Sequence, residues 1–163
     1  MGLFDKWKKT TNVYADDVIV AVADGEMISP ENISDMTFSK ELMGQTIGFQ
    51  ITNGKIVSPA NGKIEVLFPS KHAFAVRMKN GTGLLVHIGI DTVSLNGKGF
   101  HSYVKQGDEV HANDPIIEVD LEAVHKAGLE TTSMLVVTEP VNKEERISFI
   151  DYGKVNRGQI ITK

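Results

Sequence analysis

The chain has 163 residues and a formal net charge of −4 at pH 7, which leaves no general basic surface to neutralise phosphates and excludes nucleic acid as an expected partner. It contains no cysteine, so disulfides, thiolate metal sites and cysteine nucleophiles are excluded as well. No stretch approaches the roughly 18 uninterrupted apolar residues of a membrane span, and the start lacks a signal peptide. We therefore expect a cytoplasmic protein with one main domain.

The first nine residues, MGLFDKWKK, differ in character from the rest of the chain. A helix would place Leu3, Phe4 and Trp7 on one face and the lysines elsewhere, the pattern of a weak membrane-surface anchor. A frayed terminus is the alternative, because an isolated helix this short is marginal in water. We therefore expect residues 1–16 to form a flexible segment with an amphipathic start, followed by a domain over residues 17–163.

From Val18 onward, short apolar runs are separated by turn dipeptides. Asp24-Gly25, Asn61-Gly62 and Asn80-Gly81 accept the positive φ of hairpin turns. Many short strands at this spacing predict an all-β sandwich or barrel. The runs predicted as strands are DVIVAV, EMIS, TIGFQI, KIVS, KIEVLF, AFAVRM, LLVHIGI, FHSYV, PIIEV, SMLVV, RISFI and QIIT.

Two short helices are predicted between these strands. In DLEAVHKAG, Asp120 can cap the start and Gly128 the end, with Leu121, Val124 and His125 on one side. The second, around SKELMG, is one or two turns long. Neither changes the fold class.

A faint internal repeat links two parts of the chain. AVADGEMISP and SPANGKIEVLFP share an alanine, an Asp/Asn-Gly turn and a charged residue before an apolar run. The pair indicates a duplicated hairpin unit, with chance similarity around a common turn as the alternative.

The chain has five histidines, of which His101, His111 and His125 are interpreted as ordinary surface or core residues. His87 differs because it stands inside the apolar strand LLVHIGID. Alternation predicts one aliphatic face, made of Leu84, Val86, Ile88 and Ile90, and a second face that carries Leu85, His87, Gly89 and Asp91. Gly89 has no side chain, so the backbone beside the imidazole is open to another molecule.

His72 precedes the run AFAVRM, which the Asn80-Gly81 turn would pair with LLVHIG. In that register the two imidazoles meet across neighbouring strands, although a slip of one residue would turn them apart. A histidine pair can ligate a metal if further ligands are found. It can also transfer a phosphoryl group, with one neutral imidazole as nucleophile and the other as hydrogen-bond donor. The residues alone leave both uses open.

The residues around His87 resemble a known family, enzyme IIA of the glucose class in the bacterial phosphoenolpyruvate-dependent sugar phosphotransferase system. That family's signature runs from a glycine through three apolar residues into H-x-G-x-x-T, and GTGLLVHIGIDTV fits it. The blocks FPSKHAF and VKQGDEVHANDPIIEVDLEAV also resemble the family, so the resemblance spans residues 17–161. It implies a flattened antiparallel β-sandwich with a duplicated hairpin motif. The opening MGLFDK resembles the membrane-associating segment of stand-alone members.

The resemblance also implies residue roles. His87 would accept a phosphoryl group at Nε2 from the phosphohistidine of HPr and pass it to a cysteine of a IIB domain. His72 would contact the phosphoryl oxygens, Ser70 would orient His72, and the Gly89 carbonyl would orient His87. The residues implied to contact partners are the carboxylates Asp35 and Asp91 and the apolar Phe38, Phe68 and Leu85.

The chain departs from the family pattern in three places. Ala21-Val22 replaces an Ala-Pro pair, and Ser133-Met134 replaces a Thr-Pro pair before the late strand. Gln45 and Thr46 stand where the family has Asp-Gly after the first glycine, in a segment that we expect to border the docking face.

Two alternative functions are considered. His87 and Asp91 form H-x-x-x-D, half of the ligand set in zinc hydrolases of the related lysostaphin-like fold, but the chain has no H-x-H pair. The other alternative is a purely regulatory module that binds other proteins. The phosphocarrier hypothesis requires no cofactor, although His72 and His87 could share a zinc ion at a partner interface.

Overall fold

The computed structural model describes Trp7 and residues 13–163. The described residues form short β-strands and two short α-helices. The strands are β1 (Gly25–Ile28), β2 (Gln45–Ile51), β3 (Lys55–Val57), β4 (Gly62–Leu67), β5 (Ala73–Met78), β6 (Gly83–His87), β7 (Phe100–Ser102), β8 (Glu109–Val110), β9 (Pro115–Val119), β10 (Ser133–Glu139) and β11 (Gly153–Val155). The helices are α1 (Met36–Ser39) and α2 (Leu121–Lys126), and single 3-10 turns span Pro30–Asn32 and Thr92–Leu95.

The strands build two antiparallel sheets. The larger has eight strands in the order β11-β1-β2-β10-β6-β5-β4-β8, and the smaller has three in the order β3-β9-β7. The main apolar cluster takes residues from both sheets, for example Phe49 and Phe74 from the larger and Ile56 and Ile117 from the smaller. The prediction of an antiparallel sandwich is therefore confirmed.

The strand order of the large sheet is symmetric about the β10–β6 pair. Gly25 opens β1 and pairs with β2 and β11, just as Gly62 opens β4 and pairs with β5 and β8. A Cβ on Gly25 would lie 2.0 Å from the carbonyl oxygen of Gln50, and one on Gly62 would lie 2.2 Å from that of Arg77, so both positions need glycine for the same reason. The predicted duplication of the hairpin unit is thus visible in the fold.

Three predicted strands are wrong, and two short strands were missed. DVIVAV, RISFI and QIIT form only isolated bridges, Val20 with Ile160 and Phe149 with Thr162. The first of these runs is apolar because it is buried on all sides, from Ile19 to Ala23, and not because it alternates on a sheet. The missed β8 and β11 are only two and three residues long, with little apolar signal.

Both predicted helices are present, but one of them lies earlier in the chain than predicted. Asp120 caps α2 by accepting bonds from the amides of Glu122 and Ala123, and Gly128 follows the helix with φ of +76°. Val124 is buried as predicted, whereas His125 is exposed. The other helix begins earlier than SKELMG, because Asp35 caps it by accepting from the amide of Thr37.

Trp7 is the one described residue of the first twelve, and it packs against the small sheet. Its ring meets that of Tyr103 edge-on with centroids 5.3 Å apart. Lys55 Nζ and Arg157 Cζ lie 5.9 and 5.8 Å from the indole centroid. The rest of the predicted amphipathic segment, and most of the predicted flexible region 1–16, lie outside the described residues. Within the described part, no helix has the length and apolar character needed to cross a bilayer.

Candidate functional site

Strand β6 presents His87 at its last position. Leu84 and Val86 point into the main apolar cluster, and Leu85 belongs to a second cluster on the opposite face of the sheet. The predicted alternation holds as far as Ile88. It is wrong for Ile90, which joins the cluster of Leu85, because the strand ends at His87 and Gly89 turns the chain with φ of +73°.

His72 stands one residue before β5, beside His87. The hairpin predicted from Asn80-Gly81 forms, and its register pairs Ala73 with His87. The two imidazole centroids are 5.0 Å apart with their planes at 80°. The predicted meeting of the two histidines across neighbouring strands is therefore observed.

Each imidazole is oriented by a hydrogen bond at Nδ1. The Nδ1 atom of His87 lies 2.8 Å from the carbonyl oxygen of Gly89. A carbonyl can only accept, so Nδ1 carries the proton of the neutral ring and Nε2 carries the lone pair. The Nδ1 atom of His72 is bonded to the hydroxyl of Ser70. The Ser70 and Gly89 partners expected for the two histidines are thus both in place.

Burial keeps both rings neutral at pH 7. It lowers the pKa of His72 from 6.5 to about 4, and the nearby His87 adds to the shift. Burial also lowers the pKa of His87, opposed by the Gly89 hydrogen bond and by the charges of Asp35 and Asp91. Neutral imidazole is the nucleophilic form, so the site holds its two histidines ready for nucleophilic chemistry without prior deprotonation.

Two phenylalanine rings flank the pair. The ring centroid of Phe38 lies 5.1 Å from that of His87, and the ring centroid of Phe68 lies 5.5 Å from that of His72. Phe68 is 36% exposed, whereas Phe38 and Leu85 are only 5% and 8% exposed. Phe38 and Leu85 are therefore mostly covered, and Phe68 has the largest exposed fraction of the three predicted rim residues.

The two predicted carboxylates both lie near His87. Asp35 caps α1 and is partly buried, while Asp91 is exposed and begins the 3-10 turn after Gly89. Both are close enough to influence the titration of His87. They supply negative charge beside a neutral imidazole pair, an arrangement that attracts a basic partner.

Sequence reasoning missed a shallow concavity of about 390 Å³ beside His72. Its lining residues are Phe68, Pro69, Ser70, His72, Val93 and Asn96. Val93 is 53% exposed. The sequence did offer a sign of this concavity: Val93 stands in a turn directly after H-x-G-x-x-T, where an apolar side chain has no core to enter.

Gln45 and Thr46, which we expect to border the docking face, lie on β2, two strands from His87 in the large sheet, and that expectation stays a prediction. The β2 residue level with His87 is Gly48, since Gly48 pairs with Met134 and Met134 with His87. Gln45 lies further along the strand and exchanges two hydrogen bonds with the backbone of Ile147, of 2.7 and 2.8 Å. It fastens a late segment of the chain to the sheet.

Comparison with known proteins identifies the family. A family model described as "phosphoenolpyruvate-dependent sugar phosphotransferase system, EIIA 1" matches residues 17–143. The chain belongs to this family. It is a IIA component, with a phosphocarrier role in a system where such components work with HPr and with IIB and IIC permease partners.

The relatives cover nearly the whole chain. "PTS system glucose-specific EIIA component" of Staphylococcus aureus strain COL is 37% identical over 96% of this chain and 92% of its own length. The protein of the same description from Staphylococcus epidermidis is 39% identical over 86% of this chain and 84% of its own. The solved structure "glucose permease IIA from Mycoplasma capricolum" superposes with a TM-score of 0.84 at 33% identity, covering 89% of this chain and 93% of that one.

The zinc-hydrolase alternative finds no support in these comparisons. Within residues 13–163 and Trp7, no three His, Cys, Asp or Glu side chains are grouped so that they could hold a metal ion. Among the described residues, the pair His72 and His87 with Asp91 nearby therefore does not form the closed set of ligands that a structural zinc site requires.

The low pKa of His72 predicts that the IIA domain loses stability in mild acid. The unfolded chain protonates this ring near pH 6.5 and the folded chain only near pH 4, so the unfolded state binds more protons between these values. The contribution of neutral His72 to the free energy of unfolding is present above about pH 6.5. It falls as the pH drops, by about 2 kcal/mol between pH 7.5 and 5. Urea unfolding at both pH values measures it. His72→Gln should flatten the slope, whereas the exposed-ring control His125→Gln should not; equal slopes in all three proteins would contradict the prediction.

Proposed function

We propose that this IIA component accepts a phosphoryl group on Nε2 of His87 from the phosphohistidine of HPr and passes it to a cysteine of a IIB domain. The observation that carries the proposal is the 2.8 Å contact between His87 Nδ1 and the Gly89 carbonyl. It fixes the tautomer in which the Nε2 lone pair is free, in a ring that is neutral at pH 7.

In the first transfer the Nε2 lone pair of His87 attacks phosphorus, and the phosphorus–nitrogen bond to the donor imidazole breaks with its electron pair returning to that ring. In the second, a cysteine thiolate of IIB attacks phosphorus and the bond to Nε2 breaks, which restores neutral His87. The ring proton stays on Nδ1 of His87 throughout, hydrogen-bonded to the Gly89 carbonyl oxygen. No proton therefore has to leave His87 in either step.

His72 serves this transfer as a hydrogen-bond donor. If the Ser70 hydroxyl donates to Nδ1 of His72, the ring proton of neutral His72 is on Nε2. That N–H can then bond a phosphoryl oxygen held on His87, whose ring centroid is 5.0 Å away. Donors placed before the reaction stabilise the charge spread over the phosphoryl oxygens.

Partner docking uses the surroundings of the pair. Asp35 and Asp91 attract an arginine of HPr, and Phe68 with the small exposed parts of Phe38 and Leu85 gives both partners an apolar contact that excludes water. Exclusion of water slows hydrolysis of the phosphohistidine. The sugar is selected by the permease, and because the relatives carry glucose in their descriptions, a glucose-type IIB is the first partner to test.

The proposal is tested by reconstitution. Incubation with phosphoenolpyruvate, enzyme I and HPr should label the protein with an acid-labile, base-stable phosphate, and peptide mapping should place the label on His87. Addition of a panel of IIB domains should discharge it onto at least one of them. A chain that stays unlabelled, while the same HPr labels an established IIA protein, would overturn the proposal.

We also propose a cytoplasmic location with contact between residues 1–9 and the anionic inner face of the membrane, based on the amphipathic start of the sequence. Trp7 is the only tryptophan of the chain and reports on this contact. Its fluorescence should shift to shorter wavelength with vesicles rich in anionic lipid and stay unchanged with zwitterionic ones. An emission spectrum indifferent to both vesicles would contradict membrane contact.

The histidine pair also suits a regulatory role at an interface with another protein. His87 offers the lone pair of its Nε2 atom, and His72 offers its own when its proton is on Nδ1 and the Ser70 hydroxyl accepts that hydrogen bond. We propose that zinc, if it binds here, is shared with a partner that supplies further ligands, because two imidazoles alone hold zinc weakly. Phosphoryl transfer itself uses no metal in this proposal.

A further inference from the structure

The Gly89 carbonyl that orients His87 belongs to a turn that needs support of its own. Gly89 has φ of +73°, and glycine moves between such conformations at little cost. A rotation of the Ile88–Gly89 peptide group changes φ of Gly89, and this would turn the Gly89 carbonyl away from Nδ1 of His87. What holds this turn therefore also determines which nitrogen of His87 carries the proton.

The peptide group between Ile88 and Gly89 is held at both ends by buried hydroxyls. The Ile88 carbonyl accepts a bond of 2.5 Å from Oγ1 of Thr92, and the Gly89 amide donates to Oγ of Ser133 at 3.3 Å. The Ser133 hydroxyl donates its own proton to the carbonyl of Thr131 at 3.0 Å, so it faces Gly89 as an acceptor. Thr92 and Ser133 are both fully buried.

The next peptide group is held in the same way. The Ile90 amide donates to the carbonyl of Glu130 at 3.0 Å, and the Gly89 carbonyl accepts from Nδ1 of His87 at 2.8 Å. Two consecutive peptide groups thus have all four of their polar atoms bonded. Of the four partners, only His87 belongs to the reacting pair.

We propose that Ser133 and Thr92 are positioning residues that clamp the turn at Gly89 and thereby hold His87 in the tautomer with Nε2 free. Ser133 opens β10 and Thr92 opens the 3-10 turn after Gly89, so the clamp ties the nucleophile to two further elements. Loss of either hydroxyl leaves a buried backbone group without its partner, and the peptide group rotates to find another. This role rests on the proposed function of His87.

The test compares Ser133→Ala with the hydroxyl-retaining Ser133→Thr, and Thr92→Val with Thr92→Ser. A matched control is Ser58→Ala, which removes a buried hydroxyl bonded to the Ala60 carbonyl after β3. Nitrogen NMR of the His87 ring measures the tautomer and its pKa, and the reconstituted assay measures the rate of labelling by HPr.

In Ser133→Ala and Thr92→Val we expect a smaller fraction of the Nδ1–H tautomer and labelling slowed by about 10-fold or more, the usual cost of losing an outer partner that orients a functional histidine. The pKa of His87 should fall further, because the carbonyl bond favours the protonated ring. A general loosening of the site would instead admit water and raise the pKa of His87, because burial is what lowers it. The hydroxyl-retaining variants and Ser58→Ala should keep the wild-type tautomer and labelling rate.

Wild-type tautomer and labelling rate in both Ser133→Ala and Thr92→Val would overturn the clamp, and so would a pKa of His87 that rises. If one of the two variants does not fold, the other acts on the opposite end of the same peptide group and carries the same expectation. Failure of the proposed function looks different: the wild-type protein would then not be labelled by HPr, while the NMR comparison would still measure the clamp.

Discussion

His87→Ala should accept no phosphoryl group from HPr, because the variant lacks the atom to which phosphorus becomes bonded. No other described side chain offers a neutral imidazole in this position: the ring of His72 is turned edge-on to His87, with its Nδ1 held by Ser70. The loss should therefore be complete and not partial. Labelling with phosphoenolpyruvate, enzyme I and HPr, followed on an acid-free gel, measures it.

The matched control is His125→Ala, which removes an exposed imidazole from α2 and should be labelled at the wild-type rate. His87→Gln is the companion variant, since it retains much of the side-chain volume beside Phe38. Urea unfolding of both His87 variants separates loss of chemistry from loss of fold. Labelling that persists in a folded His87→Ala protein would refute His87 as the acceptor.

His72→Gln should still accept the phosphoryl group but deliver it poorly to IIB. In the first of the two proposed transfers, we expect the basic partner that Asp35 and Asp91 attract to bring its own positive charge to the phosphoryl oxygens. In the second, the attacking thiolate brings negative charge, so a donor fixed beside the phosphoryl group matters more. Removing one such donor commonly lowers a rate by about 10²-fold or more, and we expect a loss of this size in a chase of pre-labelled protein with IIB.

Ser70→Ala provides the graded comparison for this prediction. It keeps the imidazole of His72 and removes the hydroxyl bonded to its Nδ1, so the ring can adopt either tautomer and the loss should be smaller than in His72→Gln. Ser94→Ala, in the exposed turn nearby, should transfer normally. A His72→Gln protein that discharges to IIB as fast as wild type would rule out the donor role.

The sequence predicts the parts of this site that local chemistry decides. Period-2 alternation separated His87 from the core-facing Leu84 and Val86, and the Asn80-Gly81 turn set the hairpin that brings His72 to its side. Asp120 and Gly128 mark the limits of α2 for equally local reasons, a side-chain cap and a left-handed residue. The roles of the individual residues came from resemblance to a family, not from spacing.

The features that the sequence did not predict depend on contacts between distant parts of the chain. Ser133 meets Gly89 across 44 positions, and Gln45 meets Ile147 across 102, so neither contact leaves a local pattern. The run from Ile19 to Val22 looks like a strand but is apolar because several segments cover it. Ile90 left its predicted face because a single glycine ended the strand.

The symmetry of the large sheet has a consequence for stoichiometry. In the symmetric strand order, β2 corresponds to β5 and β10 corresponds to β6. When residues are counted along these strands from the pairs made by Gly25 and Gly62, Gln45 is equivalent to His72, and Val136 is equivalent to His87. One half of the duplicated framework carries the imidazoles, while the other half uses the equivalent positions for packing and for fastening Ile147. Under the proposed function, we therefore expect one phosphoryl group per chain from a framework that could have offered two equivalent acceptors, and a single productive orientation for a partner.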